Sequence, residues 1–369
     1  MKIEAIRVYQ VDLPLIEGRY TWAGGKHFVE TFDSTIVEIL TDEGTAGYGE
    51  NTPLGSAYLP AFALGARAAI RELGPHLLGE DPTAVGRINA IMDTMLNGHG
   101  YAKSAIDMAC WDLLGHATGK PICELLGGRH GDSFKLYRAI TMAGADEMAA
   151  NVDLYRQQGY TKFQLKVGGD PLEDIERVKA VRAILADDEV LVADANTGWR
   201  VDAAARVVKG VRDVDVYIEQ PCQSYAHCLT IRRRTGLPFI LDENIDSLPA
   251  LLRAHEDGAM DSINLKISKF GGLTKARVAR DLCVTLGIPM NIEDTWGSDF
   301  ITAAIAHLSH STPEDCRFAA TDFNAYVDVK TGSGLDARQS GTARAPTTAG
   351  LGITPDFGVL GEPEFEIRR

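Results

Sequence analysis

Apolar and polar residues take turns in the opening run MKIEAIRVYQVDLPL, the period-two pattern of a strand with one buried face. The pattern predicts strands near residues 2–12 and 34–41 and a third ending at the YGE of residues 48–50. The period then lengthens. In ALGARAAIRELGPHLLG and AKSAIDMACWDLLGHATG apolar residues recur every three to four positions, which predicts two helices, the second stopped by Gly119-Lys120-Pro121. Near residue 130 the pattern changes again, to short apolar runs each followed by a polar loop and an amphipathic helix. The runs are KLYRAI (135–140), FQLKVG (163–168), EVLVADAN (189–196), VDVYIEQP (214–221), PFILDEN (238–244), SINLKISK (262–269), PMNIED (289–294) and RFAATDF (317–323). Intervening helices such as DPLEDIERVKAVRAIL, with Asp170 as N-cap and Pro171 in the first turn, make these repeated βα units.

Charged residues end these runs at a regular interval. Lys166, Asp194, Glu219, Asp242 and Lys266 close runs two to six with spacings of 23 to 28 residues, Glu293-Asp294 closes the seventh and Asp322 the eighth. Such a spacing is one strand, one helix and two short loops. In an open sheet these ends would lie along a line of strands about 4.8 Å apart. A closed parallel barrel gathers them into one mouth, where such barrels place their chemistry. The expected fold is therefore α/β: an α+β unit over residues 1–128, a barrel over 129–335 and a C-terminal segment over 336–369.

Composition agrees with a globular chain of about two domains: 369 residues, 45% apolar and 24% charged. No apolar run reaches the 18 or so residues of a membrane span, and the first strand does not read as a signal peptide, so a soluble, cytoplasmic protein without membrane contact is expected. The net charge of −14 sets the chain against nucleic acid as a partner and requires local positive charge to hold any anionic substrate. Six cysteines without a CxxC pair argue against a disulfide scaffold or a zinc ribbon.

Asp194, Glu219 and Asp242 are three carboxylates on adjacent strand ends, and convergence without a cation would raise their pKa values mutually. A hard divalent ion resolves the conflict: Mg²⁺, with Mn²⁺ as the substitute, since no histidine lies in an expected barrel strand. Lys166 and Lys266 lie on strands two and six, across the mouth from each other. Desolvated beside a cation, such amines are expected to titrate lower and to act as general bases on opposite faces of a substrate. Lys269 is expected to face elsewhere. The chemistry this suggests is abstraction of a proton α to a carboxylate. A metal hydrolase would leave the two opposed lysines unexplained, and a non-catalytic binding protein would need neither.

These residues resemble the enolase superfamily, in its mandelate racemase and muconate lactonizing enzyme branch, over essentially the whole chain: AKSAIDMACWDLLGHATGKPICELLGG, QLKVGG, VADAN, IEQP, LDEN, NLKISKFGG and GLGITPD. The resemblance implies a modified TIM barrel, (β/α)7β, under an N-terminal capping domain, with the C-terminal segment packed back on the cap. It implies Asp194, Glu219 and Asp242 as metal ligands, Lys166 and Lys266 as the bases, and a homo-oligomer. Two departures stand out: the usual Lys-x-Lys of strand two is Gln164-Leu165-Lys166, and strand seven ends NIEDTWGSD without an Asp/His dyad. HGYAKSAIDMACWD, PLGSAYLPA and IEQPCQ look like the subgroup of cis-3-hydroxy-L-proline dehydratases and hydroxyproline betaine 2-epimerases, which implies a proline-derived carboxylate as substrate. Dehydration is the first expectation and 2-epimerisation the alternative. For substrate contacts, Trp22 and Lys26 in a glycine-rich loop and Tyr58 in another are expected to close over the ligand. Asp294 and Asp322 are expected to pair with a ring ammonium, Trp296 and Phe323 to stack on a quaternary one.

Overall fold

The computed structural model describes residues 1–336 and 340–368; residues 337–339 and 369 of the expected C-terminal segment lie outside it. Strands β1 (Ile3–Pro14), β4 (Thr31–Thr41) and β5 (Ala46–Asn51) form an antiparallel sheet, with β1 central between β4 and the last strand of the chain. Between β1 and β4, the stretch read as a glycine-rich loop is a hairpin of β2 (Tyr20–Trp22) and β3 (His27–Val29), its turn carried by Ala23, Gly24 and Gly25 at positive φ. Three helices follow: α1 (Ala63–Leu77), α2 (Val85–Met95) and α3 (Gly100–Thr118). The sequence reading did not include α2, whose flanking turns carry no side-chain cap. Helix α3 is buried on nearly every side, held between β5 and the barrel. Its approach to β5 requires Gly49, where a Cβ would stand 2.0 Å from the Ala105 carbonyl oxygen.

After the single turn α4 (Ile122–Leu125) and the short β6 (Phe134–Lys135) comes the barrel. Its strands are β7 (Arg138–Ile140), β8 (Lys162–Lys166), β9 (Val190–Asp194), β10 (Tyr217–Glu219), β11 (Phe239–Leu241), β12 (Ser262–Lys266), β13 (Met290–Glu293) and β14 (Arg317–Ala320), parallel and in sequence order. Each falls inside one of the eight apolar runs, except that β8 begins one residue earlier, at Lys162. A parallel bridge between Leu136 and Ala320 closes the ring. The outer layer is α5 (Ala145–Gln157), α6 (Pro171–Arg182), α7 (Val201–Gly210), α8 (Tyr225–Arg232), α9 (Leu248–Glu256), the one-turn α10 (Ile267–Phe270), α11 (Leu273–Leu286) and α12 (Asp299–His310). Among the described residues no helix of this layer follows β14, so the architecture is (β/α)7β. The tail runs through β15 (Gly332–Ser333), β16 (Thr342–Ala343), β17 (Thr354–Pro355) and α13 (Phe357–Leu360) to β18 (Phe365–Arg368), which pairs antiparallel with β1. Among the described residues no helix is long and apolar enough to cross a membrane, and all six cysteines are free and buried.

His307 on α12 is fully buried; its Nδ1 accepts from the Cys123 amide at 3.2 Å and its Nε2 donates to the Leu351 carbonyl at 3.0 Å. Burial pushes the imidazole down to about 3. The unfolded chain therefore takes up this proton near pH 6.5 while the folded chain refuses it, and stability falls as pH drops from 6.5 towards 3. Between pH 6.5 and 5, urea unfolding of the unmutated protein should lose about 1.5 kcal/mol more than that of His307→Gln. Parallel losses would mean that His307 titrates normally in the fold.

Candidate active site

Alternation decides which side chains enter the barrel. Gln164 and Lys166 share the inner face of β8, Asn264 and Lys266 that of β12, Asn291 and Glu293 that of β13. Strand register brings the charged ends to one level: Lys166 pairs with Asp194, Asp194 with Glu219, and Lys266 with Glu293. Beneath them lies a layer of amides. Both oxygens of Glu219 accept from Gln164 Nε2 at 3.0 Å, Glu219 Oε1 also accepts from Asn264 Nδ2 at 2.6 Å, and Asn291 Nδ2 donates to Asn264 Oδ1 at 3.0 Å.

The two lysines stand on the second and sixth of eight strands and line one cavity. Lys166 Nζ lies 2.5 Å from Asp194 Oδ2; Lys266 Nζ lies 2.8 Å from Asp242 Oδ2 and 3.3 Å from Glu293 Oε1. Burial works against both ammonium groups, but these carboxylates outweigh it and hold both lysines above the ordinary value. The lowering expected from sequence is that of an amine beside a divalent cation; beside these carboxylates the direction is upward. Asp242 is also gripped by Lys269, whose Nζ lies 2.9 Å from Oδ1, and by the Tyr58 hydroxyl, 2.7 Å from Oδ2. Against burial, Lys266 and Lys269 keep the Asp242 carboxyl below the usual range. Lys269 therefore faces the site, contrary to expectation, because the turn α10 brings its Nζ back to Asp242 and the Asn264 carbonyl. Burial, and then the charge of Asp194, pushes Glu219 well above the carboxylate range.

Backbone strain marks the same strand ends. Asn196, Thr197 and Gln220 take φ of 41°, 65° and 34°, in the left-handed region that non-glycine residues rarely adopt. The turn lets the Asn196 amide cap Asp194 Oδ1 at 2.8 Å, and Gln220 Oε1 accept from the Asp242 amide at 2.9 Å.

The cavity between the lysines measures about 30 Å³; Tyr58, Tyr137, Asp294, Trp296 and Phe323 also line it. Trp22 and Lys26 line a separate outer cavity of about 160 Å³, with Tyr58 on the shared wall. Lys26 Nζ donates to the Gly198 carbonyl at 3.1 Å, tying the hairpin to the loop after β9. Asp322 belongs to neither; it lines a third cavity of about 290 Å³ between α12 and the tail. Asp294 reaches the inner cavity, but its carboxylate accepts from the Ser268 amide, the Ser268 hydroxyl and the Thr295 amide, and burial pushes it up to about 6. Trp296 is sandwiched between Phe32 and Phe323, with centroids 4.3 and 5.0 Å away, so stacking on a cation is ruled out for its faces. Tyr137 and Glu293, joined by a short hydrogen bond, were not among the expected site residues. Alternation from Asn291 signals Glu293; Tyr137 precedes its strand and carries no signal. Among the described residues no three His, Cys, Asp or Glu side chains converge closely enough to hold a metal ion together, Asp194 and Asp242 each being turned onto a lysine.

Two family models match: the mandelate racemase / muconate lactonizing enzyme N-terminal domain over residues 25–127 and the enolase C-terminal domain-like model over residues 147–359. The chain belongs to the enolase superfamily, mandelate racemase/muconate lactonizing enzyme family. It is 59% identical to a cis-3-hydroxy-L-proline dehydratase of Roseibium aggregatum, over 98% of this chain and 99% of that one. It is 31% identical to an N-succinyl-L-Arg/Lys racemase of Bacillus cereus, over 84% and 85% of the two chains. An enolase-superfamily member of Roseovarius nubinhibens, solved in complex with magnesium, superposes with a TM-score of 0.93 at 39% identity and full coverage of both chains.

Truncating Lys269 to alanine removes one of the cations holding the buried Asp242 carboxylate, a loss of about 3 kcal/mol. Urea denaturation at neutral pH measures it; a cost below about 1 kcal/mol would mean that Asp242 needs no such partner.

Proposed function

We propose that this enzyme removes the α-proton of cis-3-hydroxy-L-proline and eliminates its 3-hydroxyl group as water. The observation that carries the reading is the pair of buried amines, Lys166 and Lys266, on opposed strands around one cavity. In this substrate the carboxylate and the hydroxyl share one face of the ring, so the α-hydrogen and the hydroxyl lie on opposite faces. A base on one side and an acid on the other is what such an elimination requires. One lysine, as free amine, takes the α-proton; the other, as ammonium, protonates the departing hydroxyl. The Cα–H and C3–O bonds break, a Cα–C3 double bond forms, and the resulting cyclic enamine tautomerises to the imine. The 59% identical dehydratase supports this substrate.

For a metal, Asp194, Glu219 and Asp242 offer an oxygen-only donor set, buried, on adjacent strands, with the charge of Asp194 working against ionisation of Glu219. That fits a hard divalent cation, magnesium first and manganese second, provided Asp194 and Asp242 exchange their lysine contacts for it. A bound ion would supply the positive charge that stabilises the carboxylate oxygens as the α-proton leaves. Lys166 and Lys266 would then be released from their carboxylates to face substrate, while Gln164 and Asn264 hold Glu219 in orientation.

The same lysines could exchange the α-proton between faces without loss of hydroxyl, as in 2-epimerisation of proline or hydroxyproline betaine; the racemase relative favours this second reading less strongly, at 31% identity. Incubation with cis-3-hydroxy-L-proline in D₂O separates them. The dehydratase reading expects an imine product, while epimerisation expects deuterium at an intact α-carbon; neither signal would sink the assignment. Lys166→Ala and Lys266→Ala should each lower kcat at least a hundredfold with the fold intact. Full activity in both would exclude the mechanism. Removal of divalent ions with EDTA should abolish turnover, and added Mg²⁺ should restore it; turnover persisting after chelation would remove the metal from the scheme.

A further inference from the structure

Tyr58 stands between two cavities. The inner one, about 30 Å³ between the lysines, has room for about one water molecule. The outer one, about 160 Å³, lies against Trp22, Lys26 and Gln223. Tyr58 and Asn196 line both. Asn196 is anchored, its amide on Asp194 and its Nδ2 on Glu243 Oε1 at 3.2 Å. Tyr58 is held differently. It belongs to the turn between β5 and α1, beyond Gly55, which sits at φ +116° with open space where a Cβ would project. Apart from its amide bond to the Gly55 carbonyl at 3.0 Å, its grip is the phenol oxygen, 2.7 Å from Asp242 Oδ2 and 2.5 Å from Lys266 Nζ, with the same ammonium 4.8 Å from the ring centroid. Lys266 is a group a substrate must reach, so ligand and phenol compete for it. As it stands the inner cavity is too small for a five-membered-ring amino acid, and the ring of Tyr58 is part of its wall. The walls opposite, Trp296 stacked between Phe32 and Phe323, cannot yield without breaking both stacks.

Resting on the reaction proposed above, we propose that Tyr58 is the residue that sets substrate size: its ring moves from the inner towards the outer cavity when a bare ring amino acid enters. In that position it fills the space that an acyl arm on the substrate nitrogen would need. Shortening the side chain joins the two cavities and admits the arm.

The test compares cis-3-hydroxy-L-proline with N-succinyl-L-proline, following α-proton exchange and turnover in D₂O with Mg²⁺ present. In Tyr58→Ala the kcat/KM ratio of the succinylated to the bare substrate should rise at least tenfold over the unmutated enzyme. Tyr58→Phe keeps the ring but loses both hydrogen bonds, so it should still reject the succinylated compound while its KM for cis-3-hydroxy-L-proline falls. A folded Tyr58→Ala enzyme that turns over the bare substrate with unchanged selectivity overturns the partition and leaves the reaction standing. Should circular dichroism show Tyr58→Ala unfolded, Tyr58→Leu is judged by the same ratio. Inactivity of the unmutated enzyme on both compounds overturns the reaction and the partition together.

Discussion

A carboxylate is costly to bury unless a cation or several donors meet it, and this barrel buries five of them, Asp194, Glu219, Asp242, Glu293 and Asp294, at one end. The arrangement around them follows from that cost. Lys166 takes Asp194, Lys266 and Lys269 take Asp242, and the amides of Gln164 and Asn264 take Glu219, where no positive charge is at hydrogen-bond distance. Gln164 stands where the family carries a second lysine. Its neutral amide meets both Glu219 oxygens without adding a cation there.

The cap is fastened by the same physics, applied to helix ends. Glu50 on β5 is wholly buried, and burial pushes its carboxyl up, yet it accepts from the Ser298 amide and hydroxyl, the Ile301 amide, Ser34 and Thr52. It thereby caps α12 from the neighbouring domain, where a negative charge also suits the helix dipole. Asp107 on α3 does this for α11, accepting from Asn89, the Thr274 amide at 3.0 Å and the Thr274 hydroxyl at 2.5 Å. Both capped helices follow strands that bear site residues, β12 with Lys266 and β13 with Glu293. The cap that carries Tyr58 is thus indexed to the ends of the strands that carry the chemistry.

Much of this could be read from the chain because one period governs it. Eight apolar runs and their terminal charges placed the strands and the closed barrel, and alternation within β8, β12 and β13 sorts inward from outward residues. What escaped depends on tertiary contact. Helix α2 is short and has no side-chain cap; the β2–β3 hairpin hides behind the glycines that form its turn. Nothing in the run of Gly271-Gly272 signals its purpose: a Cβ on Gly272 would stand 2.4 Å from Asp107 Oδ2, so the glycine is there to admit the cap's carboxylate to α11. Lys269 and Tyr137 reach the site through a one-turn helix and a strand's approach, which no spacing reveals. Glu293 was within reach: one step from Asp294, it is the residue of the pair that shares parity with Asn291.

The aromatic wall explains why Tyr58, rather than a barrel residue, is placed to respond to a ligand. Phe32 comes from β4 of the cap, Trp296 from the loop after β13 and Phe323 from the turn after β14; stacked in that order, with Tyr20 and Tyr326 edge-on to the indole, they pack cap against barrel. Trp296 spends both faces on this contact, so its part in recognition is shape and not cation attraction. Displacing it would break contacts across the domain boundary. Displacing Tyr58 gives up two hydrogen bonds and the Lys266 contact with its ring at the tip of a turn that begins at Gly55; a ligand carboxylate can accept from Lys266 in its place, and a ligand hydroxyl or ammonium can donate to Asp242. The cheapest motion available to the site is also the one that opens it.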